Sequence, residues 1–182
     1  MNRRSFLTQL AWLPIGAGLG ILTGCPESSQ SAEGRSAVDA GPGAGETLDK
    51  PLSEWREILP ADRFRILFEE GTEPPGSSPL DREKRDGTFV CAACKLPLFE
   101  SSMKYDSRTG WPSFTRSIPG ALATKTDYKL ILPRTEYHCI RCGGHQGHVF
   151  DDGPQPTGKR YCNNGLALEF VPDGERLPDL VV

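Results

Sequence analysis

The chain has 182 residues and a formal net charge of -3, with 21 Lys and Arg against 24 Asp and Glu. This balance gives no basis for nucleic-acid binding, which relies on clustered cations. The length suits one domain with accessory segments, and the 20 Gly and 16 Pro favour short elements joined by turns over long helices.

Residues 1–25 have the pattern of an export signal rather than of folded sequence. Arg3 and Arg4 precede an apolar stretch, residues 6–22, which proline and glycine interrupt. A membrane-spanning helix needs about 20 apolar residues, so this stretch is poorly suited to that role. The order Arg-Arg-x-Phe-Leu is typical of twin-arginine signals, which export folded proteins. An ordinary secretory signal with two arginines is the alternative.

The signal ends at Cys25. Leu22-Thr23-Gly24-Cys25 resembles a bacterial lipobox, so we expect a lipid on Cys25 and a place in the periplasm or cell envelope. A nearby cleavage site with an unmodified thiol is the alternative. Residues 26–47 are rich in Ser, Gly, Ala and Glu, which predicts a flexible linker. A folded domain is predicted over residues 48–172 and a loose tail over 173–182, and the lipid is the only predicted contact with a membrane.

The folded part begins with two predicted short helices. Ser53 is a plausible N-cap for the first helix. The second, residues 61–70, carries Phe64, Leu67 and Phe68 at helical spacing, and Gly71 is a natural stop.

Beyond Gly87 the pattern changes to short strands separated by turns. Residues 88–90 lead into a cysteine pair, and residues 128–132 and 166–170 alternate as strands do. The sequence therefore predicts small N-terminal helices followed by a mainly β, antiparallel domain.

Four of the six cysteines form two C-x-x-C pairs, Cys91 with Cys94 and Cys139 with Cys142. Each pair can supply two adjacent corners of a tetrahedron, and two pairs complete a four-thiolate zinc site. A redox-active C-x-x-C is the alternative, but no βαβ pattern surrounds the first pair. A closed four-sulfur site has no open position, so we expect a structural zinc that joins two distant segments.

Cys162 stands apart from these pairs and follows Lys159 and Arg160. Nearby cations favour the thiolate, which is the nucleophilic form of cysteine. His145 and His148 come just after the second C-x-x-C pair and could stabilise a thiolate or donate a proton. A buried structural cysteine and ordinarily packed histidines are the alternatives.

Four segments, in this order, resemble the B-type methionine-R-sulfoxide reductase family. They are Gly87-Thr-Phe-Val-Cys91-Ala-Ala-Cys94, Gly110-Trp111-Pro112-Ser113-Phe114, His145-Gln-Gly-His148-Val-Phe-Asp-Asp-Gly153 and Arg160-Tyr161-Cys162-Asn163-Asn164. The resemblance covers roughly residues 51–171. It implies an MsrB/Mss4-like fold of two antiparallel sheets with small N-terminal helices, a structural zinc, and reduction of the R epimer of methionine sulfoxide in oxidised proteins.

The resemblance also implies roles for individual residues. Cys162 is expected to attack the sulfoxide sulfur and to end as a sulfenic acid. His145, His148 and Asn164 are expected to bind and protonate the departing oxygen. The substrate-binding residues are expected to be Trp111, as an apolar wall for the methyl group, and Arg160, which also lowers the pKa of the thiol.

The sequence departs from many family members at Thr109, where they carry a resolving cysteine, and in residues 75–80, which lack the aromatic residues often found there. If zinc and lipid take the other five cysteines, Cys162 has no partner thiol in the chain. We therefore expect an external reductant, a thioredoxin-like protein or a small dithiol. A zinc-ribbon binding module without catalysis and a thiol peroxidase are the competing functions.

Overall fold

The structure, a computed structural model, describes residues 47–182. The predicted signal, Cys25 and nearly all of the predicted linker lie outside these residues. Two α-helices, nine strands and three short 3-10 helices make up the described chain. The helices are α1 (Leu52–Ile58) and α2 (Ala61–Phe68), and the 3-10 helices are Pro79–Arg82, Ser101–Met103 and Gly165–Ala167. The strands are β1 (Gly87–Cys91), β2 (Pro97–Glu100), β3 (Lys104–Tyr105), β4 (Ser113–Phe114), β5 (Leu122–Asp127), β6 (Arg134–Cys139), β7 (His145–Phe150), β8 (Arg160–Asn163) and β9 (Leu168–Pro172).

Both predicted helices are present, but the predicted cap is wrong. Pro51 occupies the N-cap position of α1, and Ser53 lies inside the helix. Pro60 occupies the N-cap position of α2 in the same way, where its missing N–H removes no hydrogen bond of the helix. Within residues 47–182 neither helix has the length and apolar character that a membrane span requires.

The strands form two antiparallel sheets, as expected. One has three strands in the order β2-β1-β9, and the other has six in the order β3-β4-β8-β7-β6-β5. The order matters for the site because β8 lies between β4 and β7 near the middle of the larger sheet. Directly opposed residues of these three strands therefore lie on the same face of the sheet.

Aromatic side chains fill the space between the sheets. Phe99 of β2 stacks on Phe114 of β4 with ring centroids 4.0 Å apart, and Phe89 of β1 meets Phe114 edge to face at 5.0 Å. All three side chains are completely buried. Burying a side chain of this size contributes roughly 1.5–3 kcal/mol, so this cluster holds the two sheets together.

The strand predicted over residues 128–132 is wrong. Strand β5 ends at Asp127, β6 begins at Arg134, and the residues between them form an exposed loop. Asp127 Oδ1 accepts a hydrogen bond from Lys129 N at 2.8 Å, which turns the chain away from the sheet. Alternating apolar residues predict a strand only where one face can be buried, and this segment lies beyond the sheet.

Residues 166–170 are only partly strand, since a 3-10 turn precedes β9. The last residues, predicted as a loose tail, return to the cysteine pairs. Val181 N donates to Cys94 O at 3.2 Å, and Arg141 Nη1 donates to Val181 O at 2.6 Å. The end of the chain thus connects the two loops that carry the cysteine pairs.

Candidate functional site

The four paired cysteines come together at one point. Their sulfur atoms all lie within 4.8 Å of one another, with Cys91 Sγ 3.7 Å from Cys142 Sγ and Cys94 Sγ 3.5 Å from Cys139 Sγ. Zinc with four bonds to sulfur of about 2.3 Å places its ligands about 3.8 Å apart. The cluster therefore fits a tetrahedral metal ion, and the described residues offer it four donors of one kind.

Each cysteine pair lies on a tight turn, and the residue after each pair has a left-handed backbone conformation. Lys95 (φ 65°) follows the first pair and donates its N–H to Cys91 O, and Gly143 (φ 71°) follows the second and donates to Cys139 O. These turns aim both sulfurs of a pair at the same point. The cluster ties the β1–β2 connection to the β6–β7 connection, which continues directly into His145.

Cys162 lies on β8 directly opposite two residues of neighbouring strands. Its Cα partner on β4 is Ser113, and its Cα partner on β7 is His148. Directly opposed residues of antiparallel strands project from the same face, with Cβ atoms about 4.5–5.5 Å apart. The sheet register therefore places the thiol of Cys162 and the imidazole of His148 side by side.

Gly147 makes this close approach of β7 and β8 possible. A Cβ atom on Gly147 would lie 1.9 Å from the carbonyl oxygen of Cys162. Any side chain there would push the strand of His148 away from the strand of Cys162. The Gly in the His-Gln-Gly-His segment is thus required by packing.

Arg160 lies two residues before Cys162 and lines the same cleft. Its guanidinium binds both carboxylate oxygens of Asp152 at 2.8 Å and lies 4.4 Å from the Phe150 ring centroid, which holds it in place. Burial raises the pKa of the Cys162 thiol, and the positive charge of Arg160 offsets only part of this increase. The expected direction of the Arg160 effect is present, but desolvation outweighs it.

His148 is held by a carboxylate. Its Nε2 lies 2.7 Å from Asp127 Oδ2, and the same oxygen accepts from Arg134 Nη2 at 2.6 Å. Burial lowers the pKa of His148, and the bond to Asp127 opposes that effect. With Nε2 bound to Asp127, the ring is fixed in orientation beside the thiol.

His145 does not line the cleft. It is almost fully buried behind His148, with ring centroids 5.4 Å apart, and its Nδ1 lies 3.1 Å from Glu136 Oε1. Burial lowers its pKa. His145 therefore packs against the ring of His148 and does not line the cleft.

Asn164 lines the cleft, but its amide is already engaged by the backbone. Oδ1 accepts from Glu73 N at 3.1 Å, and Nδ2 donates to Gln146 O at 3.1 Å. These bonds join a loop, β7 and the turn after Cys162. The geometry favours a positioning role for Asn164 over direct contact with a leaving oxygen.

Glu73 is a residue of the site that the sequence reasoning missed. Its buried carboxylate accepts from Gly165 N at 2.6 Å and Leu166 N at 2.9 Å, and its carbonyl oxygen accepts from Trp111 Nε1 at 3.1 Å. It therefore fixes both the turn after Cys162 and the plane of the Trp111 indole. A single acidic residue in a Pro-containing loop gives no local signal of such a role.

Gln146 connects the cysteine cluster with the strand of Cys162. Its side chain is fully buried, its Nε2 lies 3.5 Å from Cys91 Sγ, and its Oε1 accepts from Asn163 Nδ2 at 3.3 Å. Tyr137 OH donates to Asn163 Oδ1 at 2.8 Å on the other side. Asn163, the residue after Cys162, is thus held by hydrogen bonds from both β6 and β7.

The cleft above Cys162 has a volume of about 280 Å³. Trp111 and Phe150 give it apolar walls, and Arg134, Arg160 and His148 give it polar ones, while Thr109 also lines it. The described residues contain no second free cysteine outside the four-sulfur cluster. A β domain with a four-cysteine cluster, and with a thiol opposite a histidine in a small cleft, has the arrangement of a thiol-dependent enzyme.

Comparison with known proteins gives the particular family. Residues 59–172 match the SelR domain. The peptide methionine sulfoxide reductase MsrB of Pseudomonas putida is 45% identical over 126 residues, which cover 69% of this chain and 95% of that protein. The MsrB of Methanosarcina barkeri is 43% identical over 133 residues, covering 72% and 94%. The chloroplastic peptide methionine sulfoxide reductase B2 of Arabidopsis thaliana is 40% identical over 154 residues, covering 84% and 75%. The chain belongs to the MsrB family of peptide methionine sulfoxide reductases.

Proposed function

We propose that this chain reduces methionine-R-sulfoxide in oxidised proteins, with Cys162 as the only catalytic thiol and an external thiol as reductant. Family membership makes the chain a peptide-methionine (R)-S-oxide reductase. The observation that carries the mechanism is the register of β7 and β8, which sets Cys162 opposite His148 in the cleft.

The reaction transfers oxygen from the substrate sulfur to the enzyme. The Cys162 thiolate attacks the sulfoxide sulfur and forms a sulfur–sulfur bond, while His148 donates a proton to the sulfoxide oxygen. The hydroxyl group then passes from the substrate sulfur to the Cys162 sulfur as the sulfur–sulfur bond breaks. Methionine leaves as the thioether, and Cys162 is left as a sulfenic acid. Two electrons pass from the cysteine sulfur to the substrate sulfur, so the thiol is oxidised and the sulfoxide is reduced.

The cleft supports this chemistry by its division into polar and apolar walls. Trp111 offers a flat apolar surface for the methyl group, since thioether carbons and sulfur pack well on aromatic rings. Arg160 and His148 lie where the sulfoxide oxygen needs positive charge or a hydrogen-bond donor. A sulfoxide sulfur is chiral, so fixed positions for the methyl group and the oxygen admit one epimer.

The second half of the cycle needs electrons from outside. Thr109 lines the cleft where a resolving cysteine would stand, and its hydroxyl lowers the pKa of Cys162 through a hydrogen bond. A thioredoxin-like protein or a small dithiol supplies two electrons and two protons, becomes a disulfide, and releases the sulfenic oxygen as water.

We propose zinc as the ion of the four-cysteine cluster, held by Cys91, Cys94, Cys139 and Cys142. Bound zinc would keep the four sulfurs as thiolates in a closed tetrahedral site. Its role here is structural: it would hold the loop that leads into His145 and, through Gln146, the residue that follows Cys162.

We also propose that the chain is exported and anchored by a lipid on Cys25. The twin arginines and the Leu-Thr-Gly-Cys segment support this proposal. Labelling with a radioactive fatty acid tests it: label should appear on the wild type and be absent from Cys25→Ala. Equal release of both forms from membranes would contradict the lipid anchor.

One assay distinguishes the proposed function from its alternatives. Racemic N-acetyl-methionine sulfoxide amide is offered with dithiothreitol, and the two epimers are separated by chromatography. We expect the R epimer to disappear and the S epimer to remain, and Cys162→Ser to lose all activity while it keeps the native melting temperature. Loss of both epimers, or of neither, would contradict the proposal, and consumption of peroxide instead would favour a peroxidase.

A further inference from the structure

The loop between β5 and β6 exposes a continuous set of apolar side chains, which we call the apolar tip: Tyr128, Leu130, Ile131 and Leu132. Their exposed fractions run from 58% for Leu130 to 101% for Ile131. Four large apolar side chains within five positions are exposed to solvent, which is unusual for a loop that does not pack against the core. We propose that the apolar tip binds the apolar segment of an oxidised polypeptide that flanks the methionine sulfoxide.

The position of the loop supports this assignment, because one of its ends lines the cleft and the other holds a residue of the cleft. Asp127, before the tip, holds His148 at 2.7 Å, and Arg134, after the tip, lines the cleft. Asp127 and Arg134 are also bonded to each other at 2.6 Å, which closes the base of the loop. Pro133 alone separates Leu132 of the tip from Arg134, so the tip begins one residue away from the wall of the cleft.

The small volume of the cleft explains why a second contact surface would be needed for a polypeptide substrate. A volume of about 280 Å³ is of the order that one long side chain needs, and small-molecule sites commonly run from about 300 to 1,000 Å³. The residues on either side of a methionine sulfoxide must therefore lie outside the cleft, along its rim. Apolar flanking residues gain free energy there only where the rim is itself apolar.

The charges around the tip favour a polypeptide over a membrane surface. Lys125 Nζ and Lys129 Nζ each lie 2.5 Å from a carboxylate oxygen of Glu70, and Arg134 is paired with Asp127. Segments that insert into anionic bilayers combine apolar side chains with cations that are available to lipid headgroups. The cations beside this tip are already engaged by carboxylates.

The inference rests on the proposed function and deepens it by naming the substrate class. Its test uses two synthetic peptides of equal length with a central methionine-R-sulfoxide, one flanked by Leu and Val and the other by Ser and Asn. N-acetyl-methionine-R-sulfoxide amide is the small substrate. The variant is Leu130→Ser with Ile131→Ser and Leu132→Ser, and the control is Leu52→Ser with Ile58→Ser, two exposed residues of α1.

We expect the wild type and the α1 control to prefer the apolar-flanked peptide, and the tip variant to lose roughly tenfold in kcat/KM on that peptide alone. Its kcat/KM on the small substrate should be unchanged. Equal kcat/KM of wild type and tip variant on all substrates would overturn the inference. So would an equal loss on all three substrates, or unchanged kinetics with lost binding to phosphatidylglycerol vesicles. A wild type inactive on every substrate would instead contradict the proposed function itself.

Discussion

Asp127 and His148 meet across one intervening strand of the larger sheet, with Asp127 Oδ2 2.7 Å from His148 Nε2. The two residues lie on β5 and β7, and β6 separates them. Because His148 is the Cα partner of Cys162, the carboxylate fixes the imidazole that stands beside the thiol. The position of His148, the proton donor of the proposed reaction, is therefore set by a contact within the sheet.

Asp127→Asn tests that contact. The carboxylate raises the pKa of His148 against the lowering effect of burial, so its loss should lower the pKa further. The limb of the kcat profile that reports His148 should move to lower pH, and kcat at neutral pH should fall roughly tenfold or more. The profile is measured with a saturating small substrate. Arg134→Met is the control: if it reproduces the change, the effect belongs to the Arg134 ion pair and not to His148.

Arg160→Met tests the electrostatics of the thiol. Burial raises the pKa of Cys162, and Arg160 is the nearby charge that opposes this increase. Without it the pKa should rise further, so the thiolate should form at higher pH. The pH dependence of alkylation by iodoacetamide reports the change directly. Arg176→Met, at an 84% exposed side chain, is the control and should leave the profile in place. A profile unmoved by Arg160→Met would show that Arg160 does not act on the thiol.

Removal of the proposed zinc tests the role of the four-cysteine cluster. The cluster joins the β1–β2 and β6–β7 connections, and the free energy of metal binding contributes to folding in such sites. We expect chelation to lower the melting temperature by roughly ten degrees or more, and added zinc to restore it. Cys162→Ser should retain the full zinc content. A native melting temperature after complete loss of metal would rule out a structural role.

Glu73→Gln tests the support beneath the turn after Cys162. The carboxylate accepts two backbone hydrogen bonds, and bonds to a charged acceptor contribute about 1.5–3 kcal/mol each. An amide keeps one acceptor and turns an NH₂ group toward an N–H, so the free energy of unfolding should fall by roughly 2–4 kcal/mol. Denaturation in urea measures this change. Glu57→Gln, at an exposed position of α1, should cost less than about 0.5 kcal/mol.

The parts of the site that the sequence predicted are those with a local chemical signature. The spacing of the two C-x-x-C pairs identifies the four cysteines whose sulfurs meet, and Cys162 and His148 stand in the segments that carry the resemblance to the family. Phe64 and Leu67 give α2 its helical period. These features depend on residues near one another in the chain, so one sequence is enough to find them.

The parts that it missed depend on contacts between distant segments. Glu73 reaches the turn at Gly165 across 92 positions, and nothing near Glu73 in the sequence marks that contact. The alternation of residues 128–132 predicted a strand because the sequence does not say where the sheet ends. His145 and Asn164 fall in the motifs that carry the family resemblance, but only the burial of His145 and the backbone hydrogen bonds of the Asn164 side chain indicate support instead of direct contact.

In the proposed cycle, the substrate oxidises Cys162 and a thiol from outside the chain reduces it again. A single turnover with methionine-R-sulfoxide and no reductant, followed by trapping with dimedone and mass spectrometry of the Cys162 peptide, tests it most directly. Thr109→Cys is the matched variant, because the introduced thiol lines the same cleft and should convert the product into an intramolecular disulfide. We predict a dimedone-trapped sulfenic acid on Cys162 in the wild type and a disulfide only in the variant. An intramolecular disulfide in the wild type, or an unmodified Cys162 after methionine has formed, would contradict the account.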